Sequence, residues 1–218
     1  MFKNQFIQSA IDCEALKFGT FTLKSGRQSP YFFNSGLFST GALLSKFGEA
    51  YAHTIIDSKI EFDVLFGPAY KGIPLAAVTA SKLADLDSAK GDVEYAFNRK
   101  EAKTHGEGGS IVGASLKGRK VLLVDDVMTA GTAINEAYEI ITSNGGIVVG
   151  IVIALDRQER MTDGGKSTTQ VVSQRYGVPV LSIISLADLI TILKPSLGND
   201  EFNAMLEYQK TYGADLSS

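Results

Sequence analysis

Two adjacent carboxylates at the end of an apolar run are the residues of this sequence best suited to chemistry. Asp125 and Asp126 follow residues 121–124, a short β-branched run bounded by turn-forming residues, as in a strand buried on both faces. Residues 129–133 then offer two hydroxyls, a glycine and the backbone N–H groups of a helix start, where a phosphate dianion binds well. Ionised carboxylates only accept hydrogen bonds, so they suit the hydroxyls of a sugar attached to that phosphate. The pattern predicts a ribose-phosphate pocket.

The Asp125-Asp126 dipeptide has a simpler interpretation when it is taken alone. Two aspartates at a strand end often form a solvated turn or a helix cap. The complete string of residues 121–133 favours the pocket over this alternative.

This string resembles the phosphoribosyl-diphosphate (PRPP) signature of the type I phosphoribosyltransferases. Four further segments resemble, in chain order, the sequence blocks of the orotate phosphoribosyltransferases: residues 21–34, 66–74, 97–109 and 155–160. The resemblance therefore extends from the N-terminal region to beyond Arg160, and the remaining C-terminal stretch is compatible with it.

The resemblance implies a reaction, a cofactor and an assembly. The expected reaction transfers the 5-phosphoribosyl group from PRPP to N1 of orotate and gives orotidine 5′-monophosphate and pyrophosphate, a step in de novo pyrimidine (UMP) synthesis. Mg²⁺ should be required and bound mainly through PRPP or pyrophosphate, with no metal ligands assigned to the chain. In the family, the residue matching Lys100 reaches the neighbouring subunit's site, which implies a homodimer with shared active sites.

The resemblance also assigns roles to residues. The residues expected to contact PRPP are Lys24, Tyr70, Lys71, Arg99, Lys100, Lys103, His105, Asp125, Asp126, Val127, Met128, Thr129, Ala130, Gly131, Thr132 and Ala133. The expected catalytic residues are Lys103, His105, Arg99, Lys100, Asp125 and Asp126. The residues expected to contact orotate are Phe32, Phe33, Thr129 and Arg157.

Residues 67–72 have the glycine spacing of a nucleotide P-loop but lack its ending. That motif requires Gly-Lys-Ser/Thr, and here Gly72 is followed by Ile73 and Pro74. A plain strand-to-helix turn is one interpretation. By resemblance the segment is a pyrophosphate loop in which backbone amides and Lys71 contact the diphosphate, and where the family often has a cis peptide bond.

Residues 98–113 combine glycines with a short basic cluster and too little apolar surface to order themselves alone. Such charge runs are often solvated faces, and His105 could be an exposed loop histidine. The glycines and the expected pocket instead predict a mobile catalytic loop that closes on an anion. Its cations would stabilise the leaving pyrophosphate, and closure would exclude water.

Orotate is a planar anion, so its pocket needs a flat apolar surface and a cation for the carboxylate. Phe32-Phe33 and Arg157 supply such groups, because an arginine fork donates two parallel hydrogen bonds to a carboxylate. Core packing of at least one phenylalanine ring is the alternative for the pair. For Arg157 the alternative is a surface ion pair with Asp156 or Glu159.

Size and composition limit the other possibilities. A chain of 218 residues favours one domain, and a net charge of −3 argues against a general nucleic-acid binder. A single cysteine, Cys13, fits a reducing compartment and is interpreted as a small apolar helix residue. The first residues lack a secretory signal, and the apolar runs are too short for a membrane helix. We therefore expect a cytoplasmic protein that binds neither nucleic acid nor membranes.

The apolar periodicity predicts an α/β fold with a mostly parallel central sheet and helices on both faces, as in type I phosphoribosyltransferases. Residues 1–40 should form a hood made of a helix (Phe2 to Leu16 at helical spacing) and a hairpin (residues 18–23 and 29–34). The remaining predicted strands are residues 64–66, 93–97, 121–124, 147–154 and 180–184. The remaining predicted helices are residues 41–56, 73–84, 132–143 and 186–193, with Thr40 as the N-cap of the first. Residues 158–169 are interpreted as a surface connection.

Two other functions remain open at this point. A phosphoribosyltransferase for purine bases would keep the acidic string but should lack Phe32-Phe33 and Arg157. A non-catalytic PRPP sensor or transcription regulator on the same fold would need a nucleic-acid-binding element, and the acidic chain shows no such extension.

Overall fold

A helix and a hairpin precede an alternation of strands and helices along the chain. The computed structural model describes residues 2–103, 109–129, 131–161 and 165–216. The helices are α1 (Phe2–Asp12), α2 (Gly41–Ser58), α3 (Gly72–Leu86), α4 (Thr132–Ser143), α5 (Thr168–Tyr176), α6 (Leu186–Leu193) and α7 (Asn199–Tyr212). The strands are β1 (Leu16–Thr22), β2 (Gln28–Phe33), β3 (Val64–Gly67), β4 (Glu94–Lys103), β5 (Gly109–Gly113), β6 (Lys120–Val127), β7 (Ile147–Asp156) and β8 (Val180–Ser185).

The central sheet has the strand order β5-β4-β3-β6-β7-β8. All neighbouring pairs are parallel except β4 with β5. Strands β1 and β2 form a separate antiparallel pair. The predicted α/β class with a mostly parallel sheet and an N-terminal hairpin is confirmed.

Two apolar cores cover the two faces of this sheet. Along β6, Leu122 and Val124 belong to the core formed with α1, α2, α3, α6 and α7, whereas Val121 and Leu123 belong to the core formed with α4 and α5. Successive side chains of a strand point to opposite faces, so an uninterrupted apolar run serves both layers. This is why β6 is buried along almost its whole length and can hold its carboxylates rigidly.

Local signals fix several helix ends where they were expected. Thr40 caps α2 by accepting a hydrogen bond from the backbone N of Leu43 at 3.2 Å. Helices α4 and α6 have the predicted bounds. Leu16 is a correction: it begins β1 and does not continue α1, because the helix ends at Asp12 and Glu14 has a positive φ of 60°.

The expectation that residues 98–113 are irregular is wrong for the described part. Strand β4 runs to Lys103 and pairs with β5, with Asn98 opposite Ile111 and Lys103 opposite Gly109. The sequence has few apolar side chains here, but backbone hydrogen bonds across an antiparallel pair do not depend on side-chain burial.

Helices α5 and α7 were not predicted, and α5 begins inside the supposed surface connection of residues 158–169. Ser167 caps α5 in a capping box with Gln170, and Ser167 and Thr169 are buried. Within the described residues, no helix has the length and apolar character needed to cross a membrane.

Candidate active site

The site lies where the order of the central strands reverses. Strands β3 and β6 are neighbours, yet the chain continues from β3 to β4 on one side and from β6 to β7 on the other. The carboxyl ends of parallel strands border a crevice at such a position, and ligands of open α/β sheets bind there. Gly67 ends β3, and Asp125 and Asp126 lie near the end of β6.

An ion pair bridges the two strand ends. The Nζ atom of Lys71 lies 2.8 Å from Oδ2 of Asp126, and the Lys71 side chain is 62% exposed. The same oxygen accepts a 2.7 Å hydrogen bond from the Ser35 hydroxyl, which follows the hairpin. A cation that suits a phosphate anion and a carboxylate that suits a sugar hydroxyl thereby lie side by side.

Asp125 is buried near the carboxyl end of β6, with only 6% of the residue exposed. Burial, reinforced by the charge of Asp126, raises the pKa of Asp125 to about 6. The backbone carbonyl of Asp125 accepts a 2.7 Å hydrogen bond from the Tyr51 hydroxyl on α2. Asp125 is therefore held on β6 both at its carbonyl and at its buried carboxyl group, which accepts from the backbone N of Asp126 at 2.9 Å.

The turn between β3 and α3 is built on close backbone contacts. A Cβ atom on Gly67 would lie 1.9 Å from the carbonyl oxygen of Gly72, so only glycine fits. The peptide bond between Ala69 and Tyr70 is cis. The backbone N of Ala69 donates a 2.9 Å hydrogen bond to Oδ1 of Asn98, a buried residue of β4. Tyr70 and Lys71 at the tip of the turn are exposed to solvent.

The predicted phosphate loop enters α4 through a residue in the left-handed region. Gly131 has φ 75° and precedes the first residue of α4, Thr132. Thr129, Thr132 and Ala133 are exposed, whereas the Met128 side chain lies in the core. The carbonyl oxygen of Thr129 accepts a 2.7 Å hydrogen bond from the Thr168 hydroxyl. Ala130 lies outside the described residues.

Arg157 lies just after β7 in a network of polar side chains. Its Nε donates to Oε1 of Glu159 at 2.6 Å, so the ion pair weighed as an alternative does form, but with both side chains largely buried. Its Nη2 lies within hydrogen-bond distance of the Ser29 and Tyr208 hydroxyls. The guanidinium also stacks over the ring of Tyr31 at 4.3 Å.

The two hairpin phenylalanines separate into different environments. Phe33 is 8% exposed and packs near Phe6 in the core. Phe32 points to the other face of β2, where its ring is 42% exposed and lies 5.6 Å from that of Phe21. Phe32 can thus offer an aromatic face to a ligand, whereas Phe33 can offer only its backbone.

The remaining predicted cations are only partly described. Arg99 on β4 is half-buried, and Lys24 and Lys100 are exposed. His105 and the side chain of Lys103 lie outside the described residues, so their expected roles stay predictions.

Several residues that shape the site were missed by sequence reasoning. They are Ser29, Ser35, Tyr51, Asn98, Thr168 and Tyr208. Each acts through a contact distant in sequence. The Ser-x-x-Gln capping box at residues 167–170 was a local signal that could have identified the start of α5.

Comparisons with known proteins agree with this geometry. A phosphoribosyl transferase domain model matches residues 39–179. Proteins named orotate phosphoribosyltransferase from Yarrowia lipolytica and Vibrio parahaemolyticus are 61% and 54% identical to the chain, and each alignment covers 97% of the chain and at least 97% of the relative. A crystal structure of orotate phosphoribosyltransferase from Francisella tularensis superposes with a TM-score of 0.87 and 44% identity, over 96% of this chain and 100% of that chain.

Fold and site together define a phosphoribosyltransferase. The sequence is more than half identical to the two named relatives over nearly its full length. Within that class, the chain therefore belongs to the orotate phosphoribosyltransferase family.

Proposed function

We propose that the chain transfers the 5-phosphoribosyl group of PRPP to N1 of orotate, giving orotidine 5′-monophosphate and pyrophosphate in pyrimidine nucleotide synthesis. The observation that carries this proposal is the Lys71–Asp126 pair at the β3/β6 crevice, found in a chain whose relatives are orotate phosphoribosyltransferases.

PRPP would bind across the crevice in three parts. The diphosphate would meet the backbone of residues 67–72, the exposed Lys71 ammonium, and Lys24 and Tyr70. The ribose hydroxyls would donate to Asp125 and Asp126. The 5′-phosphate would meet the backbone amides between Val127 and Ala133 at the start of α4, where the helix dipole favours an anion.

Loss of pyrophosphate from C1 develops positive charge on the ribose and negative charge on the leaving oxygens, as in other glycosyl transfers. Asp125 and Asp126 would favour the positive centre because both are fixed before the reaction. Lys71, together with Arg99, Lys100, Lys103 and His105, would stabilise the leaving group. Orotate is already anionic, so the proposal assigns no general base to the chain.

Orotate would lie between the hairpin and Arg157. Phe32 would offer an aromatic face, Thr129 would adjoin the ring, and the guanidinium of Arg157 would bind the carboxylate. Ser29 on β2 contacts Arg157 at 3.0 Å, which supports a pocket built jointly by the hood and β7.

Mg²⁺ is proposed as a cofactor that neutralises the diphosphate and orients it. The acidic pair fits a metal held mainly by substrate oxygens. Oδ2 of Asp126 already accepts from Lys71 and Ser35, and the described residues contain no cluster of three His, Cys, Asp or Glu side chains arranged for a metal. Such binding through substrate phosphates is common for Mg²⁺.

Single-domain organisation, a homodimer and a cytoplasmic location complete the proposal. The basic segment of residues 98–113 would close over the site, and Lys100 would serve the partner's site. Lys100 is exposed and lies in β4 between the paired residues Asn98 and Lys103, which supports such a reach.

The experiment is a spectrophotometric assay of orotate consumption with PRPP and Mg²⁺. The absorbance of orotate should fall only when all three are present, and adenine or hypoxanthine in place of orotate should give no nucleotide. Asp126→Asn should abolish the change, with Asp92→Asn, an exposed aspartate, as the control. Saturable PRPP binding without orotate consumption would overturn the proposal in favour of a non-catalytic sensor.

A further inference from the structure

One tyrosine on the last helix contacts both partners of the ion pair beside the pocket. The Tyr208 hydroxyl donates to Oε1 of Glu159 at 2.7 Å, the same oxygen that accepts from Nε of Arg157 at 2.6 Å. The Tyr208 oxygen also accepts from Nη2 of Arg157 at 3.3 Å. Three groups therefore form a closed triangle of hydrogen bonds.

The triangle holds one edge of the guanidinium. Nε and Nη2 of Arg157 are engaged by Glu159, Tyr208 and Ser29. Nη1 forms no hydrogen bond within the part of the chain that the structure describes. These contacts use three of the five guanidinium N–H groups, so the two N–H groups of Nη1 are left for a ligand and are held in a fixed direction.

Charge balance supports a positioning role for this network. Glu159 alone would neutralise Arg157, but two arginines share this carboxylate, because its second oxygen lies 3.3 Å from Nη1 of Arg27. One net positive charge therefore remains among the three side chains. Arg27 is further fixed by a 2.9 Å hydrogen bond to the carbonyl of Arg160. Burial and then the neighbouring Glu159 raise the pKa of Tyr208, so its hydroxyl keeps the proton it donates.

Packing keeps the hydroxyl in place. Tyr208 is 4% exposed, and its ring meets the Tyr31 ring edge-on at 6.2 Å. Tyr31 in turn underlies the Arg157 guanidinium. Arg27, Ser29, Tyr31 and Tyr208 all lie outside the residues matched by the phosphoribosyl transferase domain model. Apart from Glu159, these contacts around Arg157 therefore come from the hood and the last helix.

We propose that Tyr208 is a positioning residue that fixes the guanidinium of Arg157, through Glu159, for recognition of the pyrimidine carboxylate. This inference rests on the proposed function, which assigns that carboxylate to Arg157. Tyr208 itself touches no reacting atom; it sets the selectivity for a carboxylated pyrimidine over one without the group.

The test compares two nucleotides that differ only in the carboxylate. Binding of orotidine 5′-monophosphate and of uridine 5′-monophosphate is measured by calorimetry for the wild type, Tyr208→Phe and Arg157→Ala. Tyr208→Phe keeps the ring and removes only the hydroxyl. It should weaken binding of the carboxylated nucleotide about five- to tenfold, the size expected for the loss of one typical intramolecular hydrogen bond, and leave the other nucleotide unchanged. The KM for orotate should rise, whereas kcat and the KM for PRPP should remain unchanged.

The matched control is Tyr212→Phe, one turn further along α7. The Tyr212 ring packs against Arg27 at 4.9 Å, but the structure assigns its hydroxyl no hydrogen bond among the described residues. This variant should bind both nucleotides like the wild type. Ser29→Ala, which removes the other hydroxyl beside Nη2, should shift the ratio in the same direction as Tyr208→Phe.

Equal affinities in Tyr208→Phe and the wild type would overturn the inference, as would an equal loss for both nucleotides, which indicates a purely structural role. The proposed function fails separately. It fails if the wild type consumes no orotate, and its assignment of Arg157 fails if Arg157→Ala keeps the preference for the carboxylated nucleotide.

Discussion

The ammonium of Lys71 and the carboxylate of Asp126 form a 2.8 Å ion pair across the ends of two neighbouring parallel strands. Lys71 belongs to the proposed diphosphate loop and Asp126 to the proposed ribose site. PRPP would have to enter between or beside these charges, so the pair joins the binding of the leaving group to the binding of the sugar.

Replacing Lys71 should damage catalysis far more than stability. Lys71→Ala removes the cation proposed to contact the leaving pyrophosphate, and kcat/KM for PRPP should fall about 10²- to 10³-fold, as for loss of one fixed oxyanion donor. The ion pair is mostly exposed on the lysine side, so unfolding should shift little. Lys82→Ala on α3, whose ion pair is with Asp85, is the control. Equal kinetics in the two variants would exclude Lys71 from the site.

Asp125 should destabilise the unliganded protein at neutral pH. Its pKa is raised to about 6 in the folded state from an ordinary value near 4. The folded state therefore binds the proton more tightly than the unfolded state. Protonation of Asp125 therefore stabilises the folded state relative to the ionised form. This stabilisation is complete below about pH 4 and is lost as the pH rises through about 6.

Asp125→Asn should accordingly stabilise the protein at pH 8 by about 1–3 kcal/mol, should have little effect near pH 4, and should lose turnover. Denaturant unfolding at both pH values measures the difference, with the exposed Asp92→Asn as the control. A larger gain at the lower pH would show that the sign is wrong.

The two hairpin phenylalanines should separate binding from folding. Phe33→Ala empties a core position and should cost about 3–5 kcal/mol of unfolding free energy. Phe32→Ala removes a largely exposed ring and should change stability little, while the KM for orotate rises at least about fivefold from lost stacking. Chemical denaturation and steady-state kinetics of the two variants provide the measurement. An unchanged KM in Phe32→Ala would remove Phe32 from the orotate pocket.

The shared-site homodimer predicts complementation between inactive variants. A mixture of Lys100→Ala and Arg157→Ala subunits should regain on the order of a quarter of wild-type activity, because half of randomly formed dimers are hybrids and each hybrid has one intact site. Native mass spectrometry measures subunit exchange in the same mixture.

The control for complementation uses two residues proposed to serve the same chain's site. Asp126→Asn mixed with Arg157→Ala leaves a defect in both sites of every hybrid, so no activity should return. If the Lys100→Ala mixture also stays inactive although subunits exchange, Lys100 acts in its own subunit.

Sequence patterns predicted the central layers because periodicity and caps are local. The apolar run before Asp125 identified β6, and Thr40 marked the start of α2. Strand β5 and the far end of β4 were missed because backbone pairing with a distant segment orders residues that lack apolar side chains. Helix α5 has weak apolar periodicity, and only its capping box indicates in the sequence that a helix begins there.

The acidic pair and the diphosphate loop could be read as motifs because each is continuous in the chain. The surroundings of Arg157 could not, since Ser29 and Tyr208 are 128 and 51 residues away from it. The opposite directions of Phe32 and Phe33 follow from strand alternation, but the sequence did not say which ring faces the core.

The contact between Gly67 and Gly72 limits how this enzyme can be redesigned. Any side chain at Gly67 would overlap the opposite backbone, so a combinatorial library that varies either glycine would consist largely of misfolded members. Phe32 can be varied without the same effect on folding, because its ring lies outside the core. Efforts to accept a new pyrimidine should therefore vary Phe32 and leave the turn between β3 and α3 unchanged.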